Sequence, residues 1–350
     1  MNAVDFFCGG GGMTKGLINA GIQVLFGLDL NPACQATYEN NNHIPYLNRD
    51  ISQTTCPQLL QEYPALADND NLLLVGCAPC QPFSSQRHAD HEHTAVNLLD
   101  EFGRIVEGLM PAHVLIENVP GIERRGAGVF TRFLNRLARL GYDYEYQILN
   151  AKDYGVPQNR RRLILIASRI IDPIFPVATH GDGLLPYVTV HNAIHDFPAI
   201  EAGEIHGEVA NHQAAGLSAL NLQRILATPH DGGGRVDWPV NLVLNCHANG
   251  HVGHTDVYGR MAWNNVSPTL TSKCFSLSNG RFGHPEQDRA ISLREAAALQ
   301  SFPDNYVFEG SMQEIGRQIG NAVPVLLAQC IGTQLLAAHN EYMEAHAFAV

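Results

Sequence analysis

Short apolar runs punctuated by turn residues set the rhythm of the first half of the chain. Residues 4–7 run into the glycine cluster Gly9-Gly10-Gly11-Gly12, and residues 22–28 end at Asp29. Residues 72–75 and 114–116 are apolar throughout, as in strands covered on both faces. Helical patterning predicts helices over 14–20, 32–41, 102–109 and 130–140, and residues 142–149 and 162–167 predict a closing pair of strands. This alternation to about residue 170 predicts an α/β domain with a doubly wound sheet.

The pattern weakens between Pro173 and Asn265, where His, Gly, Pro and Asn gather, as in Asp231-Gly232-Gly233-Gly234-Arg235. That texture predicts a second, smaller, loop-rich domain. Periodicity returns at Ser292-Leu293-Arg294-Glu295, a capping-box pattern opening a helix over 294–301 that Pro303 stops. Pro324 suits the first turn of a last helix running to about Ala338. The expected division is 1–175, 176–275 and 276–350.

Composition changes this picture little. Hydrophobic content of 45% and charged content of 16% describe a soluble protein with ample core, and no signal peptide or bilayer-length apolar run is evident. Eight cysteines scattered through the chain read as reduced thiols in a cytoplasmic setting. The formal charge of −12 argues against non-specific coating of nucleic acid but leaves room for a local basic groove. Among 22 cationic residues only Lys15, Lys152 and Lys273 are lysines, and arginine favours planar contacts to phosphates and base edges.

Candidate chemistry gathers at the ends of the predicted strands, where open α/β sheets place their ligands. Cys80 lies in Pro79-Cys80-Gln81-Pro82-Phe83-Ser84, just after one buried run; Glu117 ends a second, and Arg160-Arg161-Arg162 opens a third. A thiol, a carboxylate and arginines in these places can attack an electron-poor ring. The glycine cluster completes neither a dinucleotide fingerprint nor a P-loop. Asp29 stands where a ribose usually finds its carboxylate, and Asp50 could accept from an adenine amino group, so a nucleoside cofactor without a pyrophosphate, such as S-adenosylmethionine, is expected. Cys77 and Cys80 form a lone CxxC, and Cys246, His247, His251 and His254 share no metal-ligand spacing, so no metal is expected.

In order along the chain stand Asp5-Phe6-Phe7-Cys8-Gly9, Gly27-Leu28-Asp29, Arg49-Asp50-Ile51, Pro79-Cys80-Gln81-Pro82-Phe83-Ser84, Glu117-Asn118-Val119 and Gln158-Asn159-Arg160-Arg161-Arg162. Ser267-Pro268-Thr269-Leu270-Thr271, Arg294-Glu295-Ala296-Ala297 and Gln318-Ile319-Gly320-Asn321-Ala322-Val323-Pro324 follow. With these blocks the chain resembles the cytosine C5 DNA methyltransferases of prokaryotic modification type, nearly throughout except about 175–260.

The resemblance implies a Rossmann-like S-adenosylmethionine-dependent methyltransferase fold. Residues 1–175 would form the catalytic and cofactor-binding domain, 176–275 the target-recognition domain, and 276–350 a hinge with helices returning to the catalytic domain. It implies methyl transfer from S-adenosylmethionine to C5 of a flipped-out cytosine in duplex DNA, leaving S-adenosylhomocysteine. Cys80 would add to C6, Glu117 would hold N3 and the amino group, Arg162 would bind O2, and Arg160 would support that region. Phe7, Gly9, Gly11, Asp29, Asp50, Pro79 and Asn321 would receive the cofactor. Gln81, Ser84, Ser85, Gln86 and Arg87 would meet the DNA, and Arg224, Arg235, Arg260 and Asn249 are candidate base readers.

The partners implied are double-stranded DNA and a cognate restriction endonuclease that forms no stable complex with this chain. A cytoplasmic, nucleoid-associated monomer without a membrane is expected. A tRNA cytosine-5 methyltransferase and a catalytically silent DNA-binding relative are the competing readings.

Overall fold

The computed structural model describes residues 1–78, 98–244 and 256–347. The chain divides into two compact units, one built from Met1–Asn150, Arg161–Ala178 and Val325–Val350, the other from Ala151–Arg160 and Thr179–Pro324.

The first unit is built on seven strands: β1 (Asn2–Phe6), β2 (Gln23–Asp29), β3 (Tyr46–Asn48), β4 (Leu72–Gly76), β5 (His113–Asn118), β6 (Asp143–Asn150) and β7 (Arg161–Ser168). Their spatial order is β3-β2-β1-β4-β5-β7-β6. The β1–β2, β2–β3, β1–β4 and β4–β5 pairs are parallel, whereas β5–β7 and β6–β7 are antiparallel. From β1 the chain winds outward first to β2 and β3, then returns to β4 and β5 on the other side. The carboxyl ends of β1 and β4 therefore flank the topological switch point, where such sheets bind ligands.

Period-two alternation explains the layering. Val4 and Phe6, Leu72 and Leu74, and Val114 and Ile116 join one core with Phe102, Ile105 and Val106 of α4 (Leu98–Leu109) and Phe130, Phe133 and Leu137 of the helix Ala127–Arg139. Residues of opposite parity serve the other face. There the His113 Nε2 approaches His339 Nδ1 at 3.0 Å, and His339 Nε2 in turn lies 3.1 Å from Asn71 Oδ1. His339 belongs to the long C-terminal helix Val325–His346, which packs on α1 (Gly12–Asn19) so closely that a Cβ on Gly16 would lie 2.4 Å from Ala328 Cβ. The helical stretch Met312–His346 is long and apolar enough by composition to cross a bilayer, contrary to the expectation from sequence; over half of its apolar window is buried inside the protein, as in a core helix.

Most expected elements of this unit are present with shifted ends. Strand β3 and α3 (Cys56–Glu62) are additional, being too short for periodicity to announce. The predicted helix over 32–41 begins as a 3₁₀ turn, Pro32–Cys34, before α2 (Gln35–Asn42).

The second unit has little regular structure among its described residues. Helices Val190–Ile194, Ala219–Leu226, Leu293–Leu299 and Met312–Asn321 are joined by loops and isolated β-bridges. The Ser292/Glu295 capping box forms as read from the sequence, and a matching Ser311/Glu314 box opens Met312–Asn321. A small apolar cluster of Ile225, Trp238, Leu242, Tyr258, Leu277 and Ala290 is supplemented by buried arginines.

Arg160, Arg260, Arg289 and Arg294 are the largest fully buried side chains among the described residues. Arg260 donates to the carbonyls of Thr228, Ile225, His284 and Gln287 and pairs with Asp288. Arg289 donates to Ile200 O and Ala290 O and grips Glu295 through both carboxylate oxygens at 2.7 and 2.8 Å. Arg294 donates to Asp304 O and Tyr306 O. These forks satisfy carbonyls that have no sheet partner. Residues 276–324 accordingly group with the loop-rich unit, and the chain rejoins the sheet at Val325, which differs from the expected boundaries.

Candidate active site

Strand β4 is buried along its whole length and delivers the chain to the switch point. Its Gly76 pairs with Phe6 of β1 and Ile116 of β5, and a Cβ there would already lie 3.0 Å from the Phe102 ring. The Cys77 N–H donates to Phe6 O, and Asn118 at the end of β5 donates its amide to Ala78 O at 3.4 Å. Pro79, Cys80, Gln81, Ser84, Ser85, Gln86 and Arg87 lie outside the described residues, so the chain is followed to two residues before Cys80.

Beside that exit stands Glu117, 8% exposed near the end of β5. Arg162 of β7 donates its Nε to Glu117 Oε1 at 2.8 Å. With side chains only 10% and 13% exposed, this pair is less screened by water than a surface ion pair. The antiparallel pairing of β5 with β7 makes it possible, because it turns the start of β7 toward the end of β5.

The described cofactor residues predicted in the first unit, Phe7, Gly9, Gly11, Asp29 and Asp50, share the same end of the sheet. Phe7, Gly9 and Gly11 all take positive φ, 62°, 50° and 86°, so the β1–α1 loop is tightly curled, with Phe7 accepting a conformation that non-glycine residues rarely adopt. The Phe7 N–H donates to Leu28 O at 2.7 Å. Asp29 accepts from the Gly9 N–H at 3.0 Å and the Asn31 N–H at 2.9 Å. Burial raises its carboxyl pKa against the pull of those bonds. The neighbouring strand ends at Asn48, opposite Asp29, and Asp50 follows, its carboxylate accepting from the Ser52 N–H.

Below the loop, fully buried Asp5 accepts from Thr14 Oγ1 at 2.7 Å, and Thr14 Oγ1 also contacts Tyr38 OH. Burial pushes the Asp5 carboxyl up to about 7. Leu30, missed from sequence, leaves 65% of its surface exposed directly after Asp29. An apolar residue in the otherwise polar turn Asp29-Leu30-Asn31-Pro32 is the signal that could have found it.

S-adenosylmethionine can be tested against these groups. A Cβ on Gly9 would meet nothing within 4 Å, so open space adjoins the loop beside the Asp29 carboxylate. Each Asp29 oxygen keeps acceptor capacity beyond its backbone bond, as a ribose diol requires, and exposed Leu30 offers apolar surface to a base. The residues fit a nucleoside cofactor.

Two predicted residues belong to the second unit. Arg160 is 2% exposed and donates to Leu270 O, Gly320 O and Ala322 O at 3.0–3.1 Å. The last two carbonyls flank Asn321, itself exposed at the end of Met312–Asn321. A Cβ on Gly320 would lie 2.2 Å from Thr271 backbone, so this turn is pressed against the Thr269-Leu270-Thr271 segment and held there by Arg160.

Two candidate base readers are committed elsewhere. Arg260 is completely buried among carbonyls, and Arg224, 8% exposed, donates to Leu242 O and lies over the Trp238 and Tyr258 rings. Charge density in the sequence pointed outward; unpaired loop carbonyls and an aromatic slot drew both side chains inward. Asn249 lies outside the described residues, as do Cys246, His247, His251 and His254. Among the described residues no group of His, Cys, Asp and Glu is placed to hold a metal.

Comparison with known proteins gives this geometry its context. The sequence model of the C-5 cytosine-specific DNA methylases matches residues 1–337. The chain is 41% identical over 340 residues to the type II methylase M.HgiDII of Herpetosiphon aurantiacus, covering 95% of this chain and 94% of that protein. It is 32% identical over 352 residues to the type II methyltransferase M1.HphI of Haemophilus parahaemolyticus, covering 95% and 86%. Among solved structures, a putative DNA modification methyltransferase from an Escherichia coli prophage superposes with a TM-score of 0.74 at 22% identity over 97% of this chain and 99% of its own, which shows the shared fold.

Proposed function

This chain belongs to the C-5 cytosine-specific DNA methylases, and on that premise we propose that it is the modification enzyme of a type II restriction–modification system, with Cys80 as its nucleophile. The Glu117–Arg162 pair, at the end of the strand next to the one that leads to Cys80, is the observation that carries the assignment.

Cytosine C5 is too weak a nucleophile to accept a methyl group unaided. Addition of the Cys80 thiolate to C6 forms a C–S bond and pushes the ring electrons toward N3 and O2, making C5 enamine-like. Glu117 would hold N3 and the exocyclic amino group, and Arg162 would meet O2 as charge builds there. Their existing contact means that the two charges are oriented before the base arrives. S-adenosylmethionine, when bound, supplies the methyl group that C5 takes. A base then removes the C5 proton, and elimination frees Cys80. Burial pushes up the thiol pKa values of Cys8, Cys56, Cys274 and Cys330, which suits them to packing and not to attack.

Asp29 would take the ribose hydroxyls and Asp50 the adenine amino group. Phe7, Gly9, Gly11, Pro79, Asn321 and the exposed Leu30 would line the rest of the cofactor site. Arg160 serves as a positioning residue, fixing the turn that presents Asn321. Gln81, Ser84, Ser85, Gln86 and Arg87 would grip DNA from which the target cytosine has been flipped, since C6 is shielded in the stack. The partners proposed are duplex DNA and an endonuclease of the same specificity, met by a monomer in the nucleoid-bearing cytoplasm.

Nucleoside mass spectrometry after incubation with S-adenosylmethionine tests this reading. Wild-type protein should leave 5-methylcytosine in mixed-sequence duplex DNA and none in tRNA. Cys80→Ala should abolish the product while calorimetry still detects cofactor binding. Product from Cys80→Ala, or methylation confined to tRNA, would overturn the assignment.

A further inference from the structure

The second unit contains a cavity of about 160 Å³ whose apolar wall comes from Met261, Ala262, Val266 and Pro268. This is below the ~300–1,000 Å³ of small-molecule sites, so it suits the edge of a ligand and not an enclosed one. Its polar groups are Arg281 and Asn265, with Gly232 at its border.

Arg281 is tightly held. Its Nη1 donates to Gly232 O at 2.8 Å, Gly233 O at 3.0 Å and Arg260 O at 3.1 Å, and its Nε lies 3.5 Å from Asp256 Oδ1. Nη2 has no hydrogen-bond partner among the described residues. A guanidinium fixed on one side with a donor nitrogen left over is preorganised for an acceptor.

The three adjoining glycines are not equivalent. Gly232 needs its φ of +101°, and a Cβ on Gly233 would lie 2.2 Å from Pro229 O. Gly234 has φ −149° and ψ 179°, ordinary extended backbone, and a Cβ there would meet only Arg281 Nη2 at 3.6 Å. Neither conformation nor packing requires glycine at 234. What glycine leaves there is open space beside the unpartnered nitrogen of Arg281. Asn265 contributes an exposed amide to the same cavity, its backbone pinned by Val190 N–H donating to its carbonyl at 2.8 Å.

From this arrangement we infer that Arg281, Asn265 and the open face of Gly234 read a base edge in the target duplex, with guanine at the position facing Arg281. The inference rests on the DNA-methyltransferase reading and adds its specificity determinants. Guanine presents two acceptors, O6 and N7, in the major groove, whereas cytosine presents a donor there, adenine a donor beside one acceptor, and thymine one acceptor beside a methyl group. An arginine donor therefore discriminates for guanine. Residue 281 lies beyond the stretch where the sequence placed base recognition, and it serves the cavity because residues 276–324 belong to this unit.

Gly234→Val and Asn265→Ala test the inference, because neither removes a contact that holds the fold. Activity would be read by bisulfite sequencing of a library with randomised bases around cytosine, alongside melting temperature and S-adenosylmethionine affinity. Gly234→Val should melt and bind cofactor like wild type but methylate the preferred site roughly 10- to 100-fold more slowly, the size of one lost arginine–base contact. Asn265→Ala should relax the preference at one flanking position. Wild-type rates and unchanged sequence context in both variants would overturn the inference and leave Arg281 a loop clamp. If wild-type protein methylates no member of the library, the DNA-methyltransferase reading fails, and the inference falls with it.

Discussion

The two units solve the same problem, what to do with buried backbone carbonyls, by different means. In the first, a seven-stranded ladder pairs them and leaves the side chains free to form an apolar core. Among the described residues of the second, ladder pairing shrinks to isolated bridges, and Arg160, Arg260, Arg289 and Arg294 reach in to take the carbonyls one fork at a time. A sheet fixes lines of backbone, whereas an arginine fixes points. The first kind of core is held chiefly by apolar packing; the second depends on charge.

Breaking one fork should therefore have the largest effect. Arg289→Ala leaves Glu295, 1% exposed, buried without its cation, a lesion that costs about 3–5 kcal/mol. Hydrogen exchange should show protection lost across 179–324 while β1, β4 and β5 remain protected. Equal loss in both units would mean that the cores are not energetically separate.

Acid should sharpen the contrast. Burial pushes His284 down to about 4, so the folded chain keeps it neutral while the unfolded chain takes up a proton below about 6.5. Stability is then present above pH 6.5 and drains as pH falls toward 4, by roughly 3 kcal/mol when complete. Burial lowers His212 in the same sense. Glu295, which burial works to raise, is held below its usual range by Arg289, and its contribution is lost at lower pH still.

In the first unit, burial pushes His113 to about 3, so it also drains stability in acid. Asp5, pushed up to about 7 by burial, does the reverse: it keeps its proton when folded and loses stability as pH rises from 3.8 to 7. Exchange at pH 7 and pH 5 should show the second unit losing protection first. A first unit that loosens first would contradict this balance.

The smallest effect belongs to the apolar core. Gly16→Ala would place a methyl 2.6 Å from Val325 O, and forcing α1 away from the C-terminal helix should cost about 1–3 kcal/mol, partly offset by up to about 1 kcal/mol of better helix propensity. Chemical denaturation would measure it. A stabilised variant would show that this helix contact gives way easily.

The same contrast explains what the sequence disclosed. Hydrophobic runs and period-two alternation are signatures of a ladder, so β1, β2, β4 and β5 were legible, and with them the strand-end positions of Asp29 and Glu117. Strand β3, three residues long, carries too few positions for any period. The capping box at Ser292 was legible because its chemistry is local. Arg260 and Arg224 were not, because a cation in a weakly patterned stretch looks solvated until the carbonyls and rings that draw it inward are folded around it. Likewise the Glu117–Arg162 pair needs β7 to run against β5, a direction that side-chain periodicity does not encode.

Cores pinned at points have an evolutionary consequence. Between the carbonyls that one guanidinium gathers, such as Thr228 and His284 on Arg260, loops can lengthen, shorten or exchange residues without shifting a strand register. A lineage could explore new target sites by remodelling those spans while its chemistry, seated on the sheet, is inherited unchanged.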